Sequence, residues 1–179
     1  MQYVELPSDL IITDSPDRPE GLHVSTIIGD MCKKLYPDIY GKPLNAAKIN
    51  SGVNYEQFLE KAFKQGVTFR PPPIKRDGIW LSPDGLSPEK WQVEEYKLTW
   101  YSLHTWDLMD KRAWPWMVQI KAYCYALEST KARLWAMFVN GTYRPPSPVL
   151  KVWEIEFSPL ELLENWSMLL NHAKSVGLL

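Results

Sequence analysis

Val93-Glu94-Glu95-Tyr96-Lys97-Leu98-Thr99 decides the reading of this chain. Side chains alternate along an extended segment, so Val93, Glu95 and Lys97 leave one face while Tyr96 and Leu98 leave the other. A strand with apolar residues on both faces is expected to be buried, and buried charges need partners or a metal ion. Without its surroundings, Glu95-x-Lys97 reads as a solvated strand face, since most charged residues lie at the surface.

The neighbouring segments argue for the first alternative. Residues 74–82 and 91–99 are both strand-like, and Ser82-Pro83-Asp84-Gly85 supplies turn chemistry between them. Paired as a hairpin, these strands bring Asp77 beside Glu95 and Lys97. Asp84 competes for the acidic position, but a turn Asp is expected to bond its own local backbone, so Asp77 is preferred. Gln119 and Tyr123 follow on a helix, four residues apart and therefore on one face. Two carboxylates with a backbone carbonyl, for example that of Tyr96, suit Mg²⁺ or Mn²⁺, which prefer hard oxygen ligands. Such an ion polarises a phosphodiester and activates water, and Lys97 is placed to orient that water or offset phosphate charge.

Elsewhere the elements read in order. Residues 1–20 hold Pro7, Pro16 and Pro19 among five acids and are expected to form an extended arm, followed by one domain over 21–179. Ser25 is the expected cap of a first helix ending before Pro37. Asn54 opens a second helix ending near Gly66. A third spans about 114–129, with Met117, Ile120, Cys124 and Leu127 as its apolar stripe. Strands at 132–140 and 149–157 follow, separated by a Gly/Pro turn over 141–148. The last helix starts after Ser158, where Ser158 and Glu161 match a capping box and Leu160, Leu163, Trp166, Leu170 and Ala173 form the expected buried face. The fold class is α/β, a mixed central sheet flanked by helices.

Length and composition bound the rest. At 179 residues the chain can bury a substantial core. Its formal net charge of −1 gives no global signal for nucleic acid, although a binding surface is a local matter. Lys61, Lys64, Arg70, Lys75 and Arg76 form a basic run with no acid among them, suited to phosphates or to solvent. Trp100, Tyr101, Trp106, Trp114 and Trp116 offer either core or a stacking surface for unpaired bases. Two cysteines are too few for an iron–sulfur cluster or disulfide framework and fit a reducing, cytoplasmic compartment. No apolar run reaches membrane-spanning length. His104 and His172 are expected at the surface.

The ordered set Asp77, Glu95-x-Lys97 and Gln119-x-x-x-Tyr123 resembles the PD-(D/E)xK nuclease superfamily, in its RecB-type exonuclease branch, from about His23 to the last helix. The branch also has an upstream helical acid, which Glu56 resembles, and often a His near the N-terminus, as at His23. The resemblance implies a restriction-endonuclease-like core and a metal-dependent deoxyribonuclease, similar to the stand-alone exonucleases of phages. An endonuclease of the same fold and a non-catalytic DNA-binding module are the alternatives. Glu56, Asp77, Glu95 and the Tyr96 carbonyl would be the ligands of Mg²⁺ or Mn²⁺. Lys97 would be the catalytic lysine, Gln119 and Tyr123 would position it and the DNA backbone, and DNA would be the partner.

Overall fold

The computed structural model describes residues 19–42, 51–52, 54–55, 58, 69–102, 106–139 and 148–179. Helix α1 (Val24–Leu35) and the short α2 (Pro37–Tyr40) come first. A two-stranded hairpin, β1 (Ile74–Arg76) and β2 (Ile79–Leu81), follows. Then come β3 (Gly85–Ser87), β4 (Gln92–Thr99), α3 (Trp114–Ala126), β5 (Lys131–Phe138), β6 (Val149–Glu156) and α4 (Pro159–Ser175). The main sheet has the order β3-β4-β5-β6. Among the described strands of this sheet only β4 and β5 run parallel, and α3 is the crossover that such a pair requires. The expected mixed sheet flanked by helices is therefore present.

The expected hairpin between 74–82 and 91–99 is not. Residues 74–76 pair with 79–81 instead, with Lys75 opposite Trp80. Asp77 and Gly78 form the two-residue loop, both at positive φ, 49° and 82°. That is the backbone a tight two-residue hairpin turn needs, and Asp-Gly is the dipeptide that supplies it most readily. The partner of β4 is β3, with Gly85 opposite Glu94 and Ser87 opposite Gln92. The chain reverses at 88–91, not at Ser82–Gly85.

The core lies on the helical side of the main sheet. Ile27, Ile28 and Met31 of α1, Ile79 and Leu81 of β2, Val93 of β4, Ile120 of α3 and Leu134 of β5 pack with Trp166 and Leu169 of α4. Helix α4 starts at the expected capping box: the Glu161 amide donates to the Ser158 hydroxyl, and the Ser158 amide to the Glu161 carboxylate. Its buried face is rotated from the expected one. Leu162, Asn165, Trp166, Leu169 and Ala173 are buried, whereas Leu160 and Leu163 are 62% and 49% exposed. Asn165 belongs inside because its amide donates to the Val118 carbonyl, 3.0 Å away. His172 is no plain surface residue either: its Nε2 lies 2.7 Å from Asp30 Oδ2, joining α4 to α1.

Other expectations shift by a residue or two. Helix α1 starts at Val24 and not after Ser25, and α3 stops at Ala126. Most of residues 1–20, the bulk of the second expected helix and the 141–147 turn lie outside the described residues. No helix among the described residues is long and apolar enough to cross a membrane.

Asp77 has a clear structural task. Its Oδ2 accepts the indole N–H of buried Trp166 at 2.8 Å, and Trp166 stacks on Tyr125 at 5.4 Å. Arg76 lies 4.2 Å over the other aromatic of that stack, Tyr125, and donates to its carbonyl. The hairpin is thus pinned to α3 and α4. Asp77→Ala leaves a buried N–H without its acceptor, so urea unfolding should show a loss of about 1–3 kcal/mol.

Candidate active site

Extending the β3–β4 register by one residue sets Asp84 opposite Glu95. Asp84 is 6% exposed and Glu95 fully buried. Asp84 Oδ2 accepts the Tyr96 backbone N–H at 3.0 Å. The ammonium of Lys97 ion-pairs with Glu95 Oε1. Asp84, Glu95 and Lys97 therefore meet at one corner of the sheet, on the side covered by helices. Asp77 is carried on the separate hairpin and turned toward Trp166. The acid beside Glu95 and Lys97 is Asp84, and the geometry that would have brought Asp77 there is absent.

Gly85 makes this corner possible. A Cβ at that position would lie 3.1 Å from both the Glu94 Cβ and the Tyr96 hydroxyl oxygen. Here the Asp-Gly pair permits close strand approach, whereas at 77–78 it makes a turn. Pro83-Asp84 was the available signal for the site, and Asp77-Gly78 the signal that residues 74–81 form their own hairpin.

The electrostatics follow from burial. Burial pushes the Asp84 carboxyl above its ordinary value, opposed by the Lys97 charge, the Tyr96 N–H, the Arg70 charge and the Glu95 side chain. Glu94, on the opposite face of β4, is also raised by burial, opposed by Trp135 and Arg133. Trp135 Nε1 donates to Glu94 Oε2 at 2.5 Å, and Arg133 spans Glu94 and Glu154. Glu94 thus joins β4 to β5 and β6. From α3, Cys124 comes close enough to Glu95 for that charge to add to burial, and its thiol is pushed up to about 12. The thiol is directed to the Lys131 carbonyl, 3.7 Å away.

The remaining expected residues are placed as follows. Gln119 Nε2 donates to the Tyr123 hydroxyl at 2.7 Å, so these two are together on α3. His23 is buried, and its Nε2 donates to the Pro19 carbonyl at 2.7 Å, a structural bond at the start of α1. Glu56, Lys61, Lys64 and His104 lie outside the described residues. Of the aromatic run, Trp106 is core and packs against Trp116, Phe138 and Trp153 with ring centroids 5.1–5.4 Å apart, Tyr101, Trp114 and Trp116 are half-buried, and Trp100 is exposed. No group of three or more His, Cys, Asp or Glu side chains able to hold a metal occurs among the described residues.

No protein-family description and no curated protein matches the sequence. Solved structures do match. A phage-related exonuclease from Haemophilus somnus 129PT has 10% identity and a TM-score of 0.54, with 88% of this chain and 93% of that one covered. The alkaline exonuclease LHK-Exo from Laribacter hongkongensis has 12% identity and a TM-score of 0.54, with 88% of each covered. Its complex with dAMP has 14% identity and a TM-score of 0.52, with 87% and 88% covered. The chain shares the fold of these exonucleases. At such identities the likeness concerns the backbone, and the chemistry rests on the residues described above.

A carboxyl raised by burial keeps its proton in the folded chain at a pH where the unfolded chain has ionised. Between the ordinary 3.8 and the raised folded value, the folded state binds more protons, so stability falls as pH rises through that window. Above the window the full penalty persists. Asp84→Asn is expected to raise the urea midpoint at neutral pH and to lose that gain as pH falls toward 3.8. A neutral-pH midpoint below wild type would contradict this.

Proposed function

We propose that this chain is a metal-dependent DNA nuclease of the PD-(D/E)xK type, in its RecB-like branch, acting as an exonuclease. The meeting of Asp84, Glu95 and Lys97 in one buried corner carries the proposal. Pro83-Asp84 and Glu95-x-Lys97 then supply the pattern after which the superfamily is called, with Asp84 in the place first given to Asp77. The shared fold with two exonucleases supports the reaction class, and the dAMP complex of LHK-Exo supports a deoxynucleotide polymer as substrate.

The donor set fits a hard dication. Two carboxylates converge, and such hard oxygen donors suit Mg²⁺ or Mn²⁺. Asp84, Glu95 and the Tyr96 carbonyl would hold it, with Glu56 as a further carboxylate. When bound, such an ion polarises the phosphodiester and lowers the pKa of the attacking water.

The side chains of the chain do the rest. Asp84 and Glu95 are fixed by the β3–β4 register and the Tyr96 N–H, so they need no rearrangement to act. Lys97 is oriented by Glu95 and offsets charge that develops on the phosphate as the bond to the attacking oxygen forms. Gln119 and Tyr123, bonded to each other on α3, would steer Lys97 and the DNA backbone.

End-labelled linear DNA with Mn²⁺ tests the proposal. Wild type should cleave it, while Asp84→Asn, Glu95→Gln and Lys97→Ala should each lose about 10²–10³-fold or more. Asp77→Asn should cleave within a few-fold of wild type. Equal cleavage by wild type and Lys97→Ala would refute the assignment. Closed circular DNA left intact is the expected exonuclease result, and its cleavage would mark an endonuclease.

A further inference from the structure

A cavity of about 450 Å³ opens at the other end of β4, lined by Lys90, Gln92, Lys131, Glu154, Ile155 and Glu156. The strand registers account for its chemistry. Gln92, Lys131 and Glu156 form one row across β4, β5 and β6, and Glu94, Arg133 and Glu154 form the next. Alternation puts both rows on the Glu94 face, away from Glu95 and Lys97. The second row is closed on itself, because Arg133 spans Glu94 and Glu154. The first row is open: among the described residues, no ion pair holds Lys131, Glu156 or the neighbouring Lys90.

Gln92 is the telling residue. It is 4% exposed, and its Nε2 donates to the Ala132 carbonyl at 3.2 Å. A carbonyl only accepts, so the amide cannot be turned end for end. Its Oε1 is then a buried oxygen with no hydrogen-bond partner among the described residues. An acceptor buried and left unpaired costs stability, and it calls for a donor.

That inventory sets the ligand. Lys90 and Lys131 ask for a dianion. Gln92 Oε1 and the Glu156 carboxylate ask for two N–H donors. A phosphate monoester carries about two negative charges near neutral pH, and an exocyclic amino group on a nucleobase has two hydrogens. The volume also lies within the range of about 300–1,000 Å³ common to small-molecule sites.

Resting on the nuclease reading, which makes nucleoside monophosphates the products, we propose that this cavity binds a nucleoside monophosphate with an amino-bearing base. Lys90 and Lys131 take its phosphate, and Gln92 Oε1 and Glu156 take its amino group. The site is separate from the corner, since Glu95 leaves β4 on the other face.

Calorimetry on the full chain, with divalent ions chelated, tests this. dAMP and dCMP should bind, and dTMP, whose base has no amino group, should bind about tenfold more weakly. Gln92→Met removes the acceptor and should bring dAMP down to the dTMP level. Lys131→Gln changes an exposed residue and should weaken all three nucleotides alike. Lys97→Ala should leave dAMP affinity unchanged. Equal affinity of wild type for dAMP and dTMP overturns the proposal, as does dAMP binding that Lys131→Gln leaves untouched. If Gln92→Met unfolds, the dTMP comparison and Lys131→Gln decide alone. If wild type fails to cleave DNA but binds dAMP through Lys131, the nuclease reading fails and the site stands. If wild type cleaves DNA and its dAMP binding is lost only in Lys97→Ala, the nucleotide sits in the corner and this site alone fails.

Discussion

Everything at this corner depends on one hydrogen bond made under a steric constraint: Asp84 Oδ2 accepting the backbone N–H of Tyr96. A carboxyl group buried to 6% exposure is costly unless its oxygens are satisfied. The N–H of β4 does this, and it also fixes the direction in which the carboxyl points. β3 can lie this close because Gly85, next in sequence, has no side chain to strike Glu94 or the Tyr96 hydroxyl. A short strand of three residues thereby holds Asp84 beside Glu95 and Lys97.

Two consecutive glutamates show how strand alternation divides labour. Glu94 and Glu95 are both fully buried, yet they leave β4 on opposite faces. Glu94 is satisfied by Trp135 and Arg133 and knits three strands together. Glu95 instead faces Asp84 and Lys97. Charged groups packed against one another inside a fold cost stability that a binding-competent site retains because its ligand needs them. The β4–β5 parallel pair adds a consequence. Its obligatory crossover is α3, so the helix carrying Gln119, Tyr123 and Cys124 must cross the same side of the sheet.

Much of the fold was legible in the sequence because it follows from local chemistry. The capping box at Ser158 and Glu161, the strands around 131–138 and 149–156, and the burial of the Glu95 strand all depend on residues close together. The Glu95–Lys97 pair was legible for the same reason: a spacing of two fixes a common face. The choice of acid was not, because it depends on which strands pair. Two Asp-Gly dipeptides stand in similar settings, at 77–78 and 84–85. Only the long-range register makes one a turn with both residues at positive φ and the other an entry to a buried strand. The two residues between Arg76 and Ile79 make the first a two-residue hairpin loop, which leaves Asp84 as the Asp beside the Glu95 strand. The rotation of α4 was missed for a different reason. Leu160 and Leu163 were assigned inward, whereas the stripe that packs is Leu162, Trp166, Leu169 and Ala173, with Asn165 admitted among them by its bond to the Val118 carbonyl.

Mn²⁺ binding, followed by calorimetry on wild type, Asp84→Asn and Asp77→Asn without DNA, bears most directly on whether Asp84 and Glu95 form the cation-holding corner. Binding should be present in wild type and in Asp77→Asn and be lost in Asp84→Asn. Binding kept by Asp84→Asn and lost in Asp77→Asn would contradict that arrangement.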